Sequence, residues 1–184
     1  MNRLKRFLPQ QIMKTLYFSL IHSYLNYSAL AWGFNCKRAK LLQKKAVRIV
    51  SCSKYNAHTE PLFKSLSILK FEDMVRVNYL KWYFKYCKST LPSYFLDYDI
   101  RRYSEIHDHN TRHKCIIPRK RIRLQVTRYC IRNHISVVLN SFPQYVHDKI
   151  YTHSYDGFCT YIKRDTISSY SVSCIIDDCY ICSL

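Results

Sequence analysis

The chain has 184 residues, of which 48% are apolar and 15% aromatic, and its formal net charge is +18. Only two residues are glycine, Gly33 and Gly157. Neither a Walker loop nor a dinucleotide-binding fingerprint can therefore be written, since both need closely spaced glycines. Scarce glycine also disfavours turn-rich β architectures, and the apolar content exceeds that of disordered chains. We expect a mainly helical protein with a sizeable core.

The basic residues are segregated along the chain. Residues 1–59 carry eleven Lys or Arg and no acid, and residues 109–147 carry eight and no acid. The intervening residues 60–108 are nearly balanced, with eight basic and seven acidic side chains. A surface that is merely solvated mixes both signs. Two purely basic blocks favour a polyanionic partner, with nucleic acid preferred over a membrane surface.

The first predicted helix starts at Pro9, because proline suits the first turn of a helix. Its apolar residues recur at spacings of three and four, as in a wide face packed on two sides, and Gly33 is a candidate terminator. The predicted apolar face consists of Ile12, Leu16, Leu20, Tyr24, Tyr27 and Ala31. Residues 15–36 carry no formal charge but are too polar for a membrane-spanning helix.

A second helix is predicted over residues 37–51, with two unlike faces. Lys37, Lys40, Lys44 and Arg48 share one face at 100° per residue, with Lys45 and Arg38 on its flank. The opposite face contains Ala39, Leu42, Ala46, Ile49 and Val50. Since no acid is interspersed, a phosphate-contacting helix is favoured over a solvated charged face.

Further helices are predicted from the Thr59–Glu60–Pro61 start and from Glu72–Asp73, whose acids suit a helix N-terminus. For the row Lys81, Lys85 and Lys88 a solvated face is at least as good an interpretation as a binding surface. Residues 91–118 lack periodicity and are interpreted as a loop or crossing segment.

The C-terminal part combines a predicted strand with two helices. Ile122, Leu124 and Val126 alternate with basic and polar residues, which predicts a short strand. Helical spacing returns in residues 131–139, with Pro143 ending that unit, and a last helix is predicted over 154–170. The chain thus divides into a helical region 1–90, a loop 91–118, and a basic strand–helix region 119–184 with a cysteine-rich tail.

Nine cysteines at irregular spacing, without a signal peptide, indicate an intracellular protein with free thiols, nuclear or cytoplasmic. Cys174, Cys179 and Cys182 form a C-x4-C-x2-C cluster that is a candidate zinc site, for which His153 or Cys159 would supply a fourth ligand. Neither of these residues lies at a standard zinc-knuckle spacing, so the cluster is a weak-to-moderate signal for metal binding, and no other cofactor is expected.

A second histidine-rich segment is interpreted differently. His107, His109 and His113 suggest a metal, but Arg112 and Lys114 would repel a cation. A polar loop that presents Arg112 to phosphate is favoured.

No arrangement for catalysis is found. The pair Asp177–Asp178 superficially resembles the hairpin of a polymerase palm, but an exposed acidic turn is the favoured interpretation, since two-metal chemistry also needs a third carboxylate. No nucleophile or metalloprotease motif is present.

A series of short segments follows in a fixed order along the chain: 16–27 (LYFSLIHSYLNY) with 31–33 (AWG), 42–49 (LQKKAVRI), 57–63 (AHTEPLF), 91–95 (LPSYF), 109–112 (HNTR), 140–143 (NSFP) and 152–154 (THS) with 157–158 (GF). In this order the segments resemble the region that follows the palm in non-LTR (LINE-type, jockey-like) retrotransposon reverse transcriptases. The resemblance covers nearly the whole chain, and its specificity lies in the ordered series.

The resemblance implies a fragment of an RNA-directed DNA polymerase. In that family the palm with its Mg²⁺-binding carboxylates lies upstream, and this sequence begins where the palm would have ended, so polymerase activity is not carried over. What is implied is the thumb role, in which helices hold the backbone of an RNA or DNA template–primer duplex, beside the missing palm and fingers. The implied contact residues are Lys37, Lys40, Lys44, Lys45 and Arg48, with Arg112, Arg119, Arg121 and Arg123 as a second set.

Two other function classes remain open. The chain would serve as a stand-alone protein-interaction module if its aromatic-rich helices bind a partner in place of the palm. A small metal-dependent nuclease would require clustered carboxylates, which the sequence does not supply.

Overall fold

A computed structural model describes residues 3–27, 29–109, 112, 114–119, 121–124 and 126–171. Every regular element in these residues is helical, which confirms the mainly helical class. The α-helices are α1 (Gln10–Leu16), α2 (Ser23–Asn26), α3 (Ala29–Trp32), α4 (Lys37–Val50), α5 (Glu60–Ser65), α6 (Phe71–Cys87), α7 (Ser93–Leu96), α8 (Tyr103–Ile106), α9 (Ile131–Leu139), α10 (Gln144–Thr152) and α11 (Tyr155–Ser168). A π-helical segment, Tyr17–His22, joins α1 to α2, and 3₁₀ turns occur at Leu4–Arg6, Gly33–Asn35 and Val126–Tyr129.

The described residues form two compact units. The first contains residues 3–27, 29, 33–75 and 163–171, and the second contains 30–32 together with the described residues of 76–162. The core of the first unit gathers apolar side chains from α1, the π segment, α4 and α5. Its members are Met13, Tyr17, Ala46, Val47, Val50, Phe63, Leu66, Ile68 and Tyr170.

Tyr170, just after α11, packs into the core of the first unit. Its hydroxyl donates to Asp73 Oδ2 at 2.7 Å and accepts from the Lys70 backbone N–H at 3.0 Å. Burial, reinforced by the Asp73 carboxylate, raises the pKa of this phenol well above its usual range. Lys64 Nζ donates to the Tyr170 carbonyl at 2.6 Å.

The core of the second unit consists of aromatic and aliphatic residues. The Phe84 ring of α6 lies 5.1 Å from the Phe158 ring of α11, and Tyr83 meets the buried His147 of α10 edge-on at 6.3 Å. Ile135 and Leu139 of α9 are also fully buried.

Helices α4, α5 and α6 end without glycine. Cys52, Ser67 and Ser89, which follow their last turns, adopt positive φ angles of 54°, 54° and 52°. After α4, the Ser53 N–H reaches the Arg48 carbonyl at 3.1 Å and the Cys52 N–H reaches Ile49 at 3.3 Å, which is a Schellman motif. Non-glycine residues therefore occupy positions where glycine is usual, at some conformational cost.

The first helix buries a different face from the one predicted. Met13, Tyr17 and Leu25 are buried, whereas Leu20, Tyr24 and Tyr27 are 62–77% exposed. Ile12 and Ala31 are also exposed, and Leu16 is half-buried. The two faces differ by one residue in register, and both are apolar, so spacing alone could not distinguish them.

The first helical segment does not extend to Gly33, since it ends at Asn26, where Tyr27 adopts an extended conformation (φ −61°, ψ 120°); Gly33 follows the separate short helix α3. No positive φ occurs at either glycine. A Cβ at Gly33 would lie 2.5 Å from Cγ2 of Val75, so the position requires a residue without a side chain.

The predicted strand over Ile122, Leu124 and Val126 is wrong. Residues 121–124 are irregular and Val126 begins a 3₁₀ turn. A strand is stabilised by pairing its backbone groups with a neighbouring strand. The described residues contain no strand with which residues 122–126 could pair. The sequence prediction also missed α10, which begins after Pro143.

Candidate nucleic-acid interface

Helix α4 carries most of the residues proposed to contact phosphate. Its sequence is rich in strong helix formers (Ala, Leu, Lys, Gln and Arg) and begins at Lys37, as predicted. The helix packs against α1, the π segment and α5. Its buried side consists of Ala39, Gln43, Ala46, Val47 and Val50.

Gln43 fixes the orientation of α4. Its side chain is 1% exposed, and Nε2 donates to the Tyr17 hydroxyl and to the Leu69 carbonyl, both at 2.9 Å. Burial raises the pKa of Tyr17, and the hydrogen bond from Gln43 partly opposes that effect. A polar residue therefore occupies the buried side, whereas Leu42, predicted to be buried, is 59% exposed.

Four basic residues of α4 project from its exposed side. Lys37, Lys44 and Lys45 belong to the predicted set, and Arg38 lies on its flank. None of them has an ion pair or hydrogen bond with another described residue, although Lys44 also borders a small cleft. A polyanion would thus meet four cations whose charge no described residue neutralises.

The two remaining α4 members of the predicted set already have partners. Lys40 Nζ forms an ion pair with Glu72, and Arg48 Nε donates to the Ala57 carbonyl at 2.7 Å. Both side chains are half-buried. They are better placed to hold the neighbouring segments against α4 than to contact a ligand.

The cleft beside α4 has a volume of about 420 Å³. It is lined by Lys40, Lys44 and Lys70 but also by Glu60 and Glu72. Lys70 pairs with Glu60, as Lys40 does with Glu72. A phosphate in this cleft would face two carboxylates, so the open helix surface is the stronger anion site.

The exposed side of α4 is not purely polar. Leu41 and Leu42 are 66% and 59% exposed among the basic residues. These leucines give the exposed side of α4 an apolar component next to its charge.

The second predicted set lies in the other unit and outside any regular element. Arg112, Arg119, Arg121 and Arg123 are all exposed. None of them forms an ion pair or hydrogen bond with another described residue. Their role in binding remains a prediction.

The zinc prediction falls mainly outside the described residues, since Cys174, Cys179 and Cys182 are not among them. Of the two proposed fourth ligands, His153 Nδ1 is 2.9 Å from the Thr152 hydroxyl and Cys159 is a half-buried free thiol. Within the described ranges no group of three or more His, Cys, Asp or Glu side chains is placed to hold a metal ion. The cysteines in those ranges form no disulfide.

None of the described helices combines the length and the hydropathy that crossing a bilayer requires.

Comparison with known proteins does not identify a family for the chain. No protein-family model matches the chain, and neither a curated protein nor a solved structure matches it significantly.

Proposed function

We propose that the chain binds the sugar–phosphate backbone of a nucleic-acid duplex without sequence preference, through the exposed basic side of α4. The role is that of a thumb fragment of a non-LTR retrotransposon reverse transcriptase, without catalysis by this chain. The observation that carries the proposal is the set Lys37, Arg38, Lys44 and Lys45, exposed together on one helix with no acidic partner among the described residues.

Phosphate contact by these four side chains has a defined energetic signature. Each neutralised phosphate releases counterions, so four contacts give a slope of log K against log salt of about −3.6 on duplex DNA. The affinity then falls roughly a hundredfold between about 50 and 200 mM salt. Contacts to the sugar–phosphate backbone carry no sequence information, so two unrelated duplexes should bind alike under this proposal.

The test is a salt titration of the purified full chain with fluorescent duplexes of two unrelated sequences, including an RNA–DNA hybrid. The proposal predicts a slope near −3.6 and affinities within about twofold between sequences. A slope shallower than about −1, or a strong preference for one sequence, contradicts it.

A second candidate function is a protein-interaction module, favoured by the exposed apolar side of the first helical segment. Leu20, Tyr24 and Tyr27 are large side chains that stay 62–77% exposed. Exposed apolar patches of this kind often mark protein-binding surfaces.

The two functions are distinguished by sedimentation and binding measured on the same preparation. A stable homodimer that dissociates in a Leu20→Lys, Tyr24→Lys variant, together with no salt-dependent duplex binding, would favour the interaction module. A monomer that binds duplex steeply with salt favours the thumb-like role.

A further inference from the structure

The second unit contains a cleft that the backbone-binding function does not use. Its volume is about 760 Å³, and Tyr103, His107, Ile116, Ile117, Pro118 and Arg119 contribute to its lining. Clefts of this size are typical of small-molecule sites.

The walls of the cleft are held by backbone hydrogen bonds. The N–H of Tyr103, at the start of α8, donates to the Ile116 carbonyl at 3.0 Å, and Ser104 N–H donates to the Lys114 carbonyl at 2.9 Å. On the other side, the Asn140 side chain bonds both the N–H and the carbonyl of Ile117, at 3.0 and 2.9 Å. The cleft is therefore preformed by paired segments.

The chemistry of the lining has two parts. Ile116, Ile117 and Pro118 supply an apolar surface, and the rings of Tyr103 and His107 lie nearly parallel, with 18° between their planes. Arg119 is exposed at the same cleft, with no carboxylate among the described lining residues. A flat apolar group joined to an anion complements this combination.

We propose that the cleft binds an unpaired nucleotide, with its base against Tyr103 and the isoleucines and its phosphate at Arg119. Unpaired bases stack on Tyr and His rings and on guanidinium planes, whereas the base faces of a duplex are covered by their neighbours. The block of residues 109–147, with eight basic side chains and no acid, adds long-range attraction for the phosphate. The proposal rests on the proposed function only in taking nucleic acid as the partner.

The test compares two short labelled single strands on the full chain: an oligothymidylate and an abasic oligonucleotide with the same number of phosphates. Base capture predicts that the oligothymidylate binds about tenfold more tightly, since stacking is sequence-tolerant but needs a base. Tyr103→Ala abolishes that difference, and Tyr103→Phe retains it because the ring remains. Arg119→Gln weakens binding of both strands.

Matched controls separate this site from α4 and from general aromatic or charge effects. Tyr55→Ala removes an aromatic residue that is 84% exposed outside the cleft, and Arg128→Gln removes an exposed arginine that does not line it. Both variants should keep the preference for the oligothymidylate, as should Lys44→Gln with Lys45→Gln. Failure of the α4 proposal would instead appear as a shallow salt slope on duplexes.

Equal binding of the two strands by the wild-type chain overturns the inference, whatever the duplex result. Retention of the preference in a folded Tyr103→Ala variant overturns it as well. Competition by thymidine monophosphate would support the site and identify a free nucleotide as a ligand.

Discussion

Helices α4 and α6 each carry a row of basic residues, but the side chains of the two rows differ in their partners. In α6, Lys85 Nζ lies 5.1 Å from the centre of the Tyr155 ring, and Lys88 Nζ lies 5.9 Å from that of Phe84. In α4, Lys37, Lys44 and Lys45 have no ion pair, hydrogen bond or cation–π partner among the described residues. Lys81 of the α6 row also has no such partner among the described residues, but it is half-buried. A basic row therefore predicts an external anion best where its cations are both exposed and without partners among the described residues.

The largest expected effect is on duplex affinity. Removing charge from α4 should weaken binding far more than removing it from α6. Replacing Lys37, Arg38, Lys44 and Lys45 by glutamine should weaken duplex binding by on the order of a thousandfold at about 0.1 M salt, since four counterion-releasing contacts are lost. The matched variant with Lys81, Lys85 and Lys88 replaced by glutamine should lose less than about tenfold, through long-range charge alone. Fluorescence anisotropy measures both, and equal losses would contradict the distinction between the rows.

The buried side of α4 should be sensitive to the loss of one amide. Gln43→Leu leaves the Leu69 carbonyl and the Tyr17 hydroxyl without their donor, which should lower the free energy of unfolding by about 2–4 kcal/mol. Gln11→Leu is the matched control, because Gln11 is exposed, and should change stability by less than about 0.5 kcal/mol. Urea denaturation provides the comparison, and equal stability of the two variants would argue against the buried Gln43 bridge.

Glycine substitutions just after α4 and α6 should have similar effects on stability, in contrast to charge removal from the two basic rows. Cys52→Gly and Ser89→Gly relieve a positive φ in an L residue and should each raise stability by up to about 1 kcal/mol. Ser51→Gly, at a residue with φ of −81°, should instead destabilise the chain. Thermal unfolding decides this, and a destabilising Ser89→Gly would contradict the left-handed assignment.

The smallest expected effect concerns the pH dependence of stability through His147, a buried residue that packs against α6. Burial lowers the pKa of His147, whose ring meets Tyr83 of α6 edge-on. The unfolded state therefore binds a proton more readily, so stability is complete above the ordinary histidine pKa of about 6.5 and declines as the pH falls below it.

His147→Gln should flatten this decline, whereas His109→Gln, at an exposed residue, should leave it unchanged. Urea unfolding across the range from about pH 7.5 to 5.5 measures the difference. An unchanged slope in the His147→Gln variant would show that other groups control the acid response, such as His134, whose pKa burial also lowers.

The sequence predicts the long helices well and their tertiary partners poorly. The limits of α4 follow from its propensities and its unlike faces, and the acids at the start of α6 mark its N-terminus. The burial of Gln43 was not predictable, because its two acceptors, Tyr17 and Leu69, are 26 residues away in either direction. Likewise, no pattern in the sequence near Arg48 indicates that its side chain donates a hydrogen bond to the Ala57 carbonyl.

The wrong predictions also trace to tertiary contacts that the local sequence does not specify. Two apolar registers compete in residues 12–27, and the sequence does not reveal which of them meets the core. Alternation over Ile122 and Leu124 is typical of a strand, but a strand also needs a neighbour, which only the tertiary structure supplies. The exposure of Lys37, Lys44 and Lys45 was predictable from their charge, whereas the ion pair of the half-buried Lys40 with Glu72 was not.

Lysine footprinting tests the central claim most directly. The full chain is acetylated at limiting reagent with and without saturating duplex, and modification at each lysine is measured by mass spectrometry. We expect protection at Lys37, Lys44 and Lys45 of α4 and unchanged reactivity at Lys81, Lys85 and Lys88 of α6. Equal protection of the two rows, or protection of the α6 row alone, would contradict the assignment of α4 as the duplex-binding surface.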